Sequence, residues 1–226
     1  MLQFQQFDSN AFGIPFYRLT EPASTTLAGE LAGLTKAPPF IVDAKLPAED
    51  ISNATRLMKL GFRKICVQLE LECGLFSPKL YCEGAKISDR IVFPDSVIDA
   101  HARHFTFDRF ALDPELSATG HERLYKQWIR NSLERGTHLV ALKGENFITF
   151  KSDGRPLRID LVSILNKRRG IGSDLLQTIF SFAEQQKIGT VKVVTECENL
   201  PALKLYMKAG FVPARFFSVF HLVQKT

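Results

Sequence analysis

Apolar and polar positions change their period at sharp points along the carboxyl-terminal third of the chain. Residues 161–165 (Leu-Val-Ser-Ile-Leu) are an apolar run that predicts a strand, and residues 174–184 space their apolar side chains as an amphipathic helix does. Residues 189–196 are rich in β-branched side chains with alternating polarity and predict a second strand. Asn199 and Pro201 stand where a helix N-cap and first turn belong, and the short helix predicted over 202–209 stops at Gly210. A last apolar strand covers 216–223.

The first third repeats part of this order. Residues 54–60 form a short helix closed by Gly61-Phe62 and followed by a strand over 64–71, as 202–209 is closed by Gly210-Phe211 and followed by 216–223. A strand over 40–46 precedes the first copy. The likeness suggests two related subdomains, although helix-Gly-Phe-strand is also a common way to end a helix. The first copy has Leu57 where the second has Tyr206, and no glycine-bearing turn precedes it. It reads as a truncated half that supplies walls rather than chemistry. Pro and Gly interrupt residues 76–88, which sets the expected division at 1–84 and 85–226. In the second part, 93–103 predicts a helix, and 121–134 another with Leu124, Trp128, Ile129 and Leu133 on one face. Strands are expected over 138–143 and 145–152. The fold class is α/β.

The turn between 165 and 174 carries the chemistry. Lys167, Arg168 and Arg169 lead into Gly170-Ile171-Gly172-Ser173 at the start of a helix. Backbone N–H groups and the positive end of the helix dipole converge there, and glycine removes side chains where a phosphate must approach and permits positive φ. The segment is neither a Walker loop nor a complete Gly-x-Gly-x-x-Gly fingerprint, since Leu175 takes the third glycine's place. What remains is a basic residue, two spacers and Gly-x-Gly. Taken alone, that pattern fits a pyrophosphate cradle or a tight turn with solvated basic side chains.

Composition narrows the partners. The chain has 226 residues and net charge +5, with a sequence pI near 9.0. Its basic residues are dispersed apart from 167–169, so an anionic small molecule suits the charge better than nucleic acid. Cys66, Cys73, Cys82 and Cys197 show no metal-binding spacing, and no metal is expected. No apolar run reaches membrane-spanning length and no charged, apolar leader opens the sequence. A cytoplasmic, non-membrane protein is expected. The strand over 216–223 suits either pairing across a homodimer axis or burial within a sheet.

The order strand, phosphate turn, helix, strand, Asn-bearing turn, helix with Tyr, Gly-Phe, strand resembles the GCN5-related N-acetyltransferase (GNAT) superfamily. The resemblance implies a GNAT fold (α+β), a mixed and mostly antiparallel sheet with splayed central strands, preceded here by a truncated GNAT-like unit. It implies acetyl-CoA as cosubstrate. Main-chain groups of Val162 and Ile164 would orient its pantetheine arm, amides near Arg169 to Ser173 would hold its pyrophosphate, and Asn199 would touch the pantetheine chain. Tyr206 would protonate the departing thiolate, for which a neutral phenol has the right protonation state. The family often has Gln or Arg where this chain has Lys167. Phe7 to Pro15 and the run His104, Phe105, Asp108, Arg109, Phe110 resemble the dTDP-4-amino-4,6-dideoxygalactose (dTDP-fucosamine) N-acetyltransferase group. That likeness implies acetyl transfer to the amine of a nucleotide-linked amino sugar for surface polysaccharide, with those five residues around the acceptor. An aromatic segment packed on the core with its charges outward fits the same pattern. Glu196 or His104 acting through water are candidate bases. Another amine acceptor (a protein N-terminus, a polyamine or an antibiotic) and a non-catalytic CoA-binding protein stay open as alternatives.

Overall fold

The computed structural model describes residues 1–74, 85–116, 118–136, 138–152, 156–167 and 169–225. The amino-terminal part comprises β1 (Leu2–Phe4), α1 (Gln6–Phe12), β2 (Phe16–Leu19), α2 (Leu27–Leu34), β3 (Phe40–Pro47), α3 (Ile51–Lys59) and β4 (Arg63–Gly74). The carboxyl-terminal part continues with β5 (Lys86–Ser88), α4 (Asp95–Ala102), α5 (Ala118–Glu134), β6 (Leu139–Lys143), β7 (Asn146–Lys151), β8 (Leu157–Ser163), α6 (Ile171–Gln185), β9 (Thr190–Glu196), α7 (Leu200–Lys208) and β10 (Val212–Gln224). The expected division at residue 84 falls in 75–84, outside the described residues.

One mixed sheet carries all ten strands in the order β1-β2-β3-β10-β4-β9-β8-β7-β6-β5. Two of its pairs, β2 with β3 and β8 with β9, are parallel; the others are antiparallel. Helices α2, α3, α6 and α7 cover one face, where Leu57, Phe40 and Phe220 fill one cluster and Leu71, Leu175, Ile179 and Val191 another. Helices α1, α4 and α5 cover the opposite face over Phe16, Ile41, Ile98, Leu124 and Phe147.

The repeat seen in the sequence is a pseudo-two-fold arrangement in space. A shift of 149 residues carries Gly61-Phe62 onto Gly210-Phe211, and it also carries Gln68 onto Phe217, which are register partners in the β4–β10 pair. Pro47 lies opposite Phe217, as Glu196 lies opposite Gln68. The helices agree in detail. Asp50 accepts from the Asn53 N–H at 3.1 Å to cap α3, and Asn199 accepts from the Ala202 N–H at 3.2 Å to cap α7. Gly61 (φ 90°) and Gly210 (φ 93°) end both helices in the left-handed region that glycine adopts without strain. Strand exchange follows from this geometry: β10 sits between β3 and β4, and β4 sits between β10 and β9. Both edges of β10 are therefore occupied within the chain, and the strand is closed to pairing with a second copy.

Elements of the first forty residues that carry no clear periodicity (β1, α1, β2 and α2) are short. Their apolar residues follow tertiary contacts: Phe12 and Phe16 pack on Phe110, with ring centroids 5.6 and 6.0 Å away.

Candidate active site

The parallel strands β8 and β9 begin side by side and then part. Leu157 pairs with Val191 and Arg158 with Lys192, and the register ends there, although β8 runs on to Ser163 and β9 to Glu196. A bulge supplies the cause. On its other edge β8 pairs Thr149 with Leu161 but Phe150 with Ile159, which leaves Asp160 as an extra residue. Such a bulge bends and twists its strand. Leu157 and Ile159 consequently pack with α6, while Leu161 packs in the cluster on the opposite face. Asp160 is held there by α5: the Trp128 indole N–H donates to its carboxylate at 2.9 Å. Burial pushes the Asp160 carboxyl upward, but the hydrogen bonds from His138 and Trp128 prevail, so its pKa lies below the usual range.

The far end of β8 is pinned twice. The His101 ring on α4 lies 2.7 Å from Ser163 Oγ and 3.0 Å from the Glu145 carbonyl. A carbonyl can only accept, so Nε2–H donates to Glu145 and Nδ1 accepts from the Ser163 hydroxyl. The ring is fully buried, and that burial lowers its pKa to about 4, in keeping with the neutral form this pattern needs. Next along, buried Asn146 accepts from the N–H groups of Leu165 (2.8 Å) and Asn166 (3.2 Å) and donates to the Lys143 carbonyl (3.1 Å). Residues 164 and 165, expected within the strand, lie beyond its end, and a side chain from β7 binds the main chain of 165 and 166.

The turn then delivers the start of α6. Gly170 has φ 75° and occupies the N-cap with no side-chain cap on the helix. Asp174 N–H is bonded to the Gly170 carbonyl, and the earlier first-turn amides belong to the set a helix cannot satisfy internally. Arg169 and Gly170 are exposed, as is Lys167; Arg168 lies outside the described residues. Gly172 serves a packing need. A Cβ there would stand 3.1 and 3.2 Å from the two methyl groups of Leu205, so glycine lets α6 approach α7 closely. Val162, Ile164, Ile171 and Leu205 pack along the edge of the core beneath.

Two ionisable groups meet at this end of β9 from opposite sides. Tyr206 belongs to the cluster beneath α6 and α7, with Phe211 5.5 Å away, ring to ring. Burial, together with the nearby Glu196 carboxylate, raises its pKa well above the usual phenol value. Glu196 points to the other face by strand alternation from Val193 and Thr195. It accepts from Gln68 Nε2–H at 3.0 Å, and burial holds its pKa above the usual carboxylate range.

The expected acceptor segment lies on the Glu196 side. His104 is half-buried and held low by burial, with Lys167 as a second cause, which places it near the turn. Phe105 stacks on Tyr125 with centroids 4.2 Å apart. Asp108 accepts from the N–H groups of Phe110 (2.9 Å) and Ala111 (3.3 Å) and from His121 at 2.8 Å. Arg109 pairs with Asp43 of β3 at 3.5 Å, its guanidinium 4.1 Å from the Phe110 ring centroid. Phe110 is buried in the core. Farther along, Asp113 accepts from Arg63 and from the buried His221, both at 2.8 Å, and those bonds outweigh burial to hold its pKa at about 2. The segment is thus fastened to α5, β3, β4 and β10. The amino-terminal part contributes Asp43, Arg63 and Gln68 to this region.

Cys66 is buried and its thiol is pushed up to about 12, while burial also raises Cys197. Neither is a thiolate at neutral pH. Cys82 lies outside the described residues. No group of metal-binding residues is present among the described residues, and none of their helices is long and apolar enough to cross a membrane.

The turn before α6, the Asn199 cap and the Tyr206 helix lie where the sequence pattern puts them. Asn146, His101, Gln68 and Asp160 are not among the residues the pattern singles out. Gln68 had a signal, because extending the Gly-Phe repeat by six residues aligns it with Phe217.

Comparison with known proteins agrees with this geometry. Residues 167–211 match the Acetyltransferase (GNAT) family. The chain is 28% identical over 183 residues to a dTDP-fucosamine acetyltransferase from Escherichia coli O6:H1, covering 77% of this chain and 78% of that protein. It is 27% identical over 125 residues to the spore coat polysaccharide biosynthesis protein SpsD of Bacillus subtilis, covering 52% of this chain and 43% of that protein. A GCN5-related N-acetyltransferase from Sphaerobacter thermophilus shares the fold with TM-score 0.60 at 15% identity, over 100% of this chain and 76% of that one. Motif order, the family match over residues 167–211 and the shared fold converge on an acetyl-CoA-dependent N-acetyltransferase similar to the GCN5-related N-acetyltransferases.

Proposed function

We propose that this enzyme acetylates the amine of a nucleotide-linked amino sugar of the dTDP-4-amino-4,6-dideoxyhexose type, by direct attack on the thioester, in cytoplasmic assembly of a surface polysaccharide. The observation that carries the cofactor half of this reading is the parting of β8 from β9 beyond the Arg158–Lys192 pair, beside a helix start without a side-chain cap. The residues fit the cosubstrate. Peptide groups of Val162 and Ile164 bond the pantetheine arm, and amides of Ile171, Gly172 and Ser173 hold the pyrophosphate, with Lys167, Arg168 and Arg169 adding charge. Asn199, whose side-chain oxygen caps α7, has its amide N–H₂ left for the arm. The names of the two sequence relatives, one a sugar-nucleotide acetyltransferase and one a polysaccharide protein, support the acceptor class.

In this reading the two halves differ in duty: residues 1–84 are a truncated GNAT-like unit and 85–226 the catalytic one. His104 and Phe105 line the acceptor side, while Asp108, Arg109 and Phe110 shape it through their bonds to α5, β3 and the core. Tyr206 stays protonated at neutral pH and donates to the sulfur as the carbon–sulfur bond breaks. Holding amine and thioester together supplies much of the acceleration. The test is thiol release from acetyl-CoA with dTDP- and UDP-linked amino sugars, against spermidine and amino-terminal peptides. Turnover with a dTDP-linked amino sugar at a kcat/KM at least ~100-fold above the controls is expected. Preference for spermidine or a peptide would overturn the acceptor assignment.

A further inference from the structure

We propose that the open sheet face over β3 and β10 binds the nucleoside diphosphate of the acceptor, with Lys45 pairing with the diphosphate and Phe217 stacking on the pyrimidine base. The proposal rests on the acetyl-transfer reading above and gives the amino-terminal half a place in substrate binding.

Strand alternation defines the surface. Val42, Ala44 and Leu46 of β3 and Phe220 and Leu222 of β10 pack under α2 and α3, so Lys45 and Phe217 point to the opposite face. Val191 and Val193 pack under α6, which turns Val194 and Glu196 to that same face. Helices α1, α4 and α5 leave its middle uncovered: Val194 is 42% exposed, Lys45 and Arg215 are exposed, and Phe217 is half-buried. Register sets Phe217, Gln68 and Glu196 in one row across the sheet. Phe217 is therefore two strand spacings, about 10 Å, from the end of β9 at the wedge between β8 and β9.

Charge on this face is uneven. The Arg215 guanidinium donates to Glu70 at 2.9 Å, Lys192 donates to the same carboxylate at 3.1 Å, and Arg109 pairs with Asp43. The Lys45 ammonium makes no hydrogen bond or ion pair among the described residues. It stands 4.3 Å from the Phe217 ring centroid, and the Arg215 guanidinium lies 5.6 Å from the same ring. Although Lys45 is exposed, desolvation and then Arg109 lower its pKa, while Glu196 and Glu70 act the other way from longer range. Its ammonium thus lies between the acceptor segment and the end of β9. A diphosphate there supplies the anion that the ammonium lacks.

The pseudo-two-fold arrangement shows what has diverged. A shift of 149 residues carries Lys45 onto Val194, Pro47 onto Glu196 and Gln68 onto Phe217. Lys45 lies opposite Val219 as Val194 lies opposite Glu70, so the frame is shared and the side chains are not. One half of the face bears a carboxylate and an amide, which bond as a sugar requires. The other bears a cation and an aromatic ring, which suit phosphate and base. The acceptor has matching ends. In a 4-amino sugar the amine and the anomeric phosphate stand across the ring from each other, so an amine at the wedge directs the diphosphate away along the sheet.

The experiment titrates dTDP and inorganic pyrophosphate into CoA-saturated protein by calorimetry, with CoA filling the cradle at α6. The proteins are the wild type, Lys45→Met, Lys45→Arg and Phe217→Leu. Lys45→Met is expected to weaken both ligands by on the order of 10-fold, and Lys45→Arg, which keeps the charge, to weaken them less. Phe217→Leu is expected to weaken dTDP by roughly 5-fold and to spare pyrophosphate. In turnover, kcat/KM for dTDP-4-amino-4,6-dideoxygalactose relative to the same amino sugar without its nucleotide should fall in Lys45→Met by a similar factor, through KM. Wild-type dTDP affinity in Lys45→Met overturns the diphosphate contact, as does an unchanged substrate ratio. Equal losses of dTDP and pyrophosphate in Phe217→Leu overturn the stacking. No saturable uptake of dTDP by the wild type overturns the subsite as a whole. A wild type that prefers spermidine to either sugar overturns the parent reading instead, whatever the dTDP titrations give.

Discussion

The two halves of the sheet hold the same pair of parallel strands in two states. In the amino-terminal half β2 and β3 stay paired from Phe16–Ile41 to Leu19–Ala44, after which β2 ends. In the carboxyl-terminal half the pairing stops at Arg158–Lys192, and β8 runs on for five residues away from β9. Both halves follow with a capped helix, a Gly-Phe stop and an exchanged strand. What separates them is local: a bulge at Asp160 fastened to α5, two pins at Ser163 and Asn146, and the turn that presents α6. A frame built for packing becomes a site when one strand is bent and then held in the bend.

The largest effect tests whether the halves are separable. Residues 85–226 alone lack β4, which lies between β9 and β10, so both strands would expose unpaired edges and the cluster beneath α6 and α7 would lose Leu69 and Leu71. That fragment is expected to show no cooperative thermal unfolding by calorimetry and to recover it when residues 1–84 are co-expressed.

Next comes the pair Tyr206 and Leu57, equivalent positions in the two helices. Tyr206→Phe should lower kcat by ~10²–10⁴-fold with acetyl-CoA affinity unchanged. Leu57→Tyr in the same assay should gain nothing, because no wedge lies beside it. Wild-type kcat in Tyr206→Phe would remove the acid from the mechanism.

The pin at Ser163 has a pH signature. The folded His101 pKa, about 4, lies below the unfolded value near 6.5, so its stabilising contribution is complete above pH 6.5 and is lost as pH falls towards 4. The full shift is worth roughly 3 kcal/mol. Denaturant unfolding of the wild type and His101→Asn between pH 7 and 4 measures it, and the variant should show a shallower dependence on pH. Equal slopes would exclude His101.

The smallest effect concerns the bulge. Asp160→Ala leaves the half-buried Trp128 N–H without its acceptor and should cost about 1 kcal/mol of stability. Because the bend relaxes, acetyl-CoA affinity should fall as well. Loss of stability with unaltered affinity would show that the bulge does not hold the wedge open.

Much of this was legible in the sequence for physical reasons. The turn, the caps Asn199 and Gly210, and the amphipathic α5 and α6 depend on neighbours within a few residues, and local rules read them. The fold class and the family followed from their order. The exchanged strands were not legible, since Phe216 to Val223 is equally apolar whether it lies at an edge or between β3 and β4. The acceptor segment likewise showed its residue types but not their partners: Arg109 faces Asp43, 66 positions earlier, and Asp113 faces His221, 108 positions later. Asp160 precedes the strand expected over 161–165, and only the mismatch of register against β7 reveals the bulge.

Amide hydrogen exchange with and without CoA examines the central contrast most directly. Binding should slow exchange at residues 161–166 and 169–173 and leave 16–20 and 41–47 unchanged. Protection of the β2–β3 pair, or none across 161–173, would contradict the account.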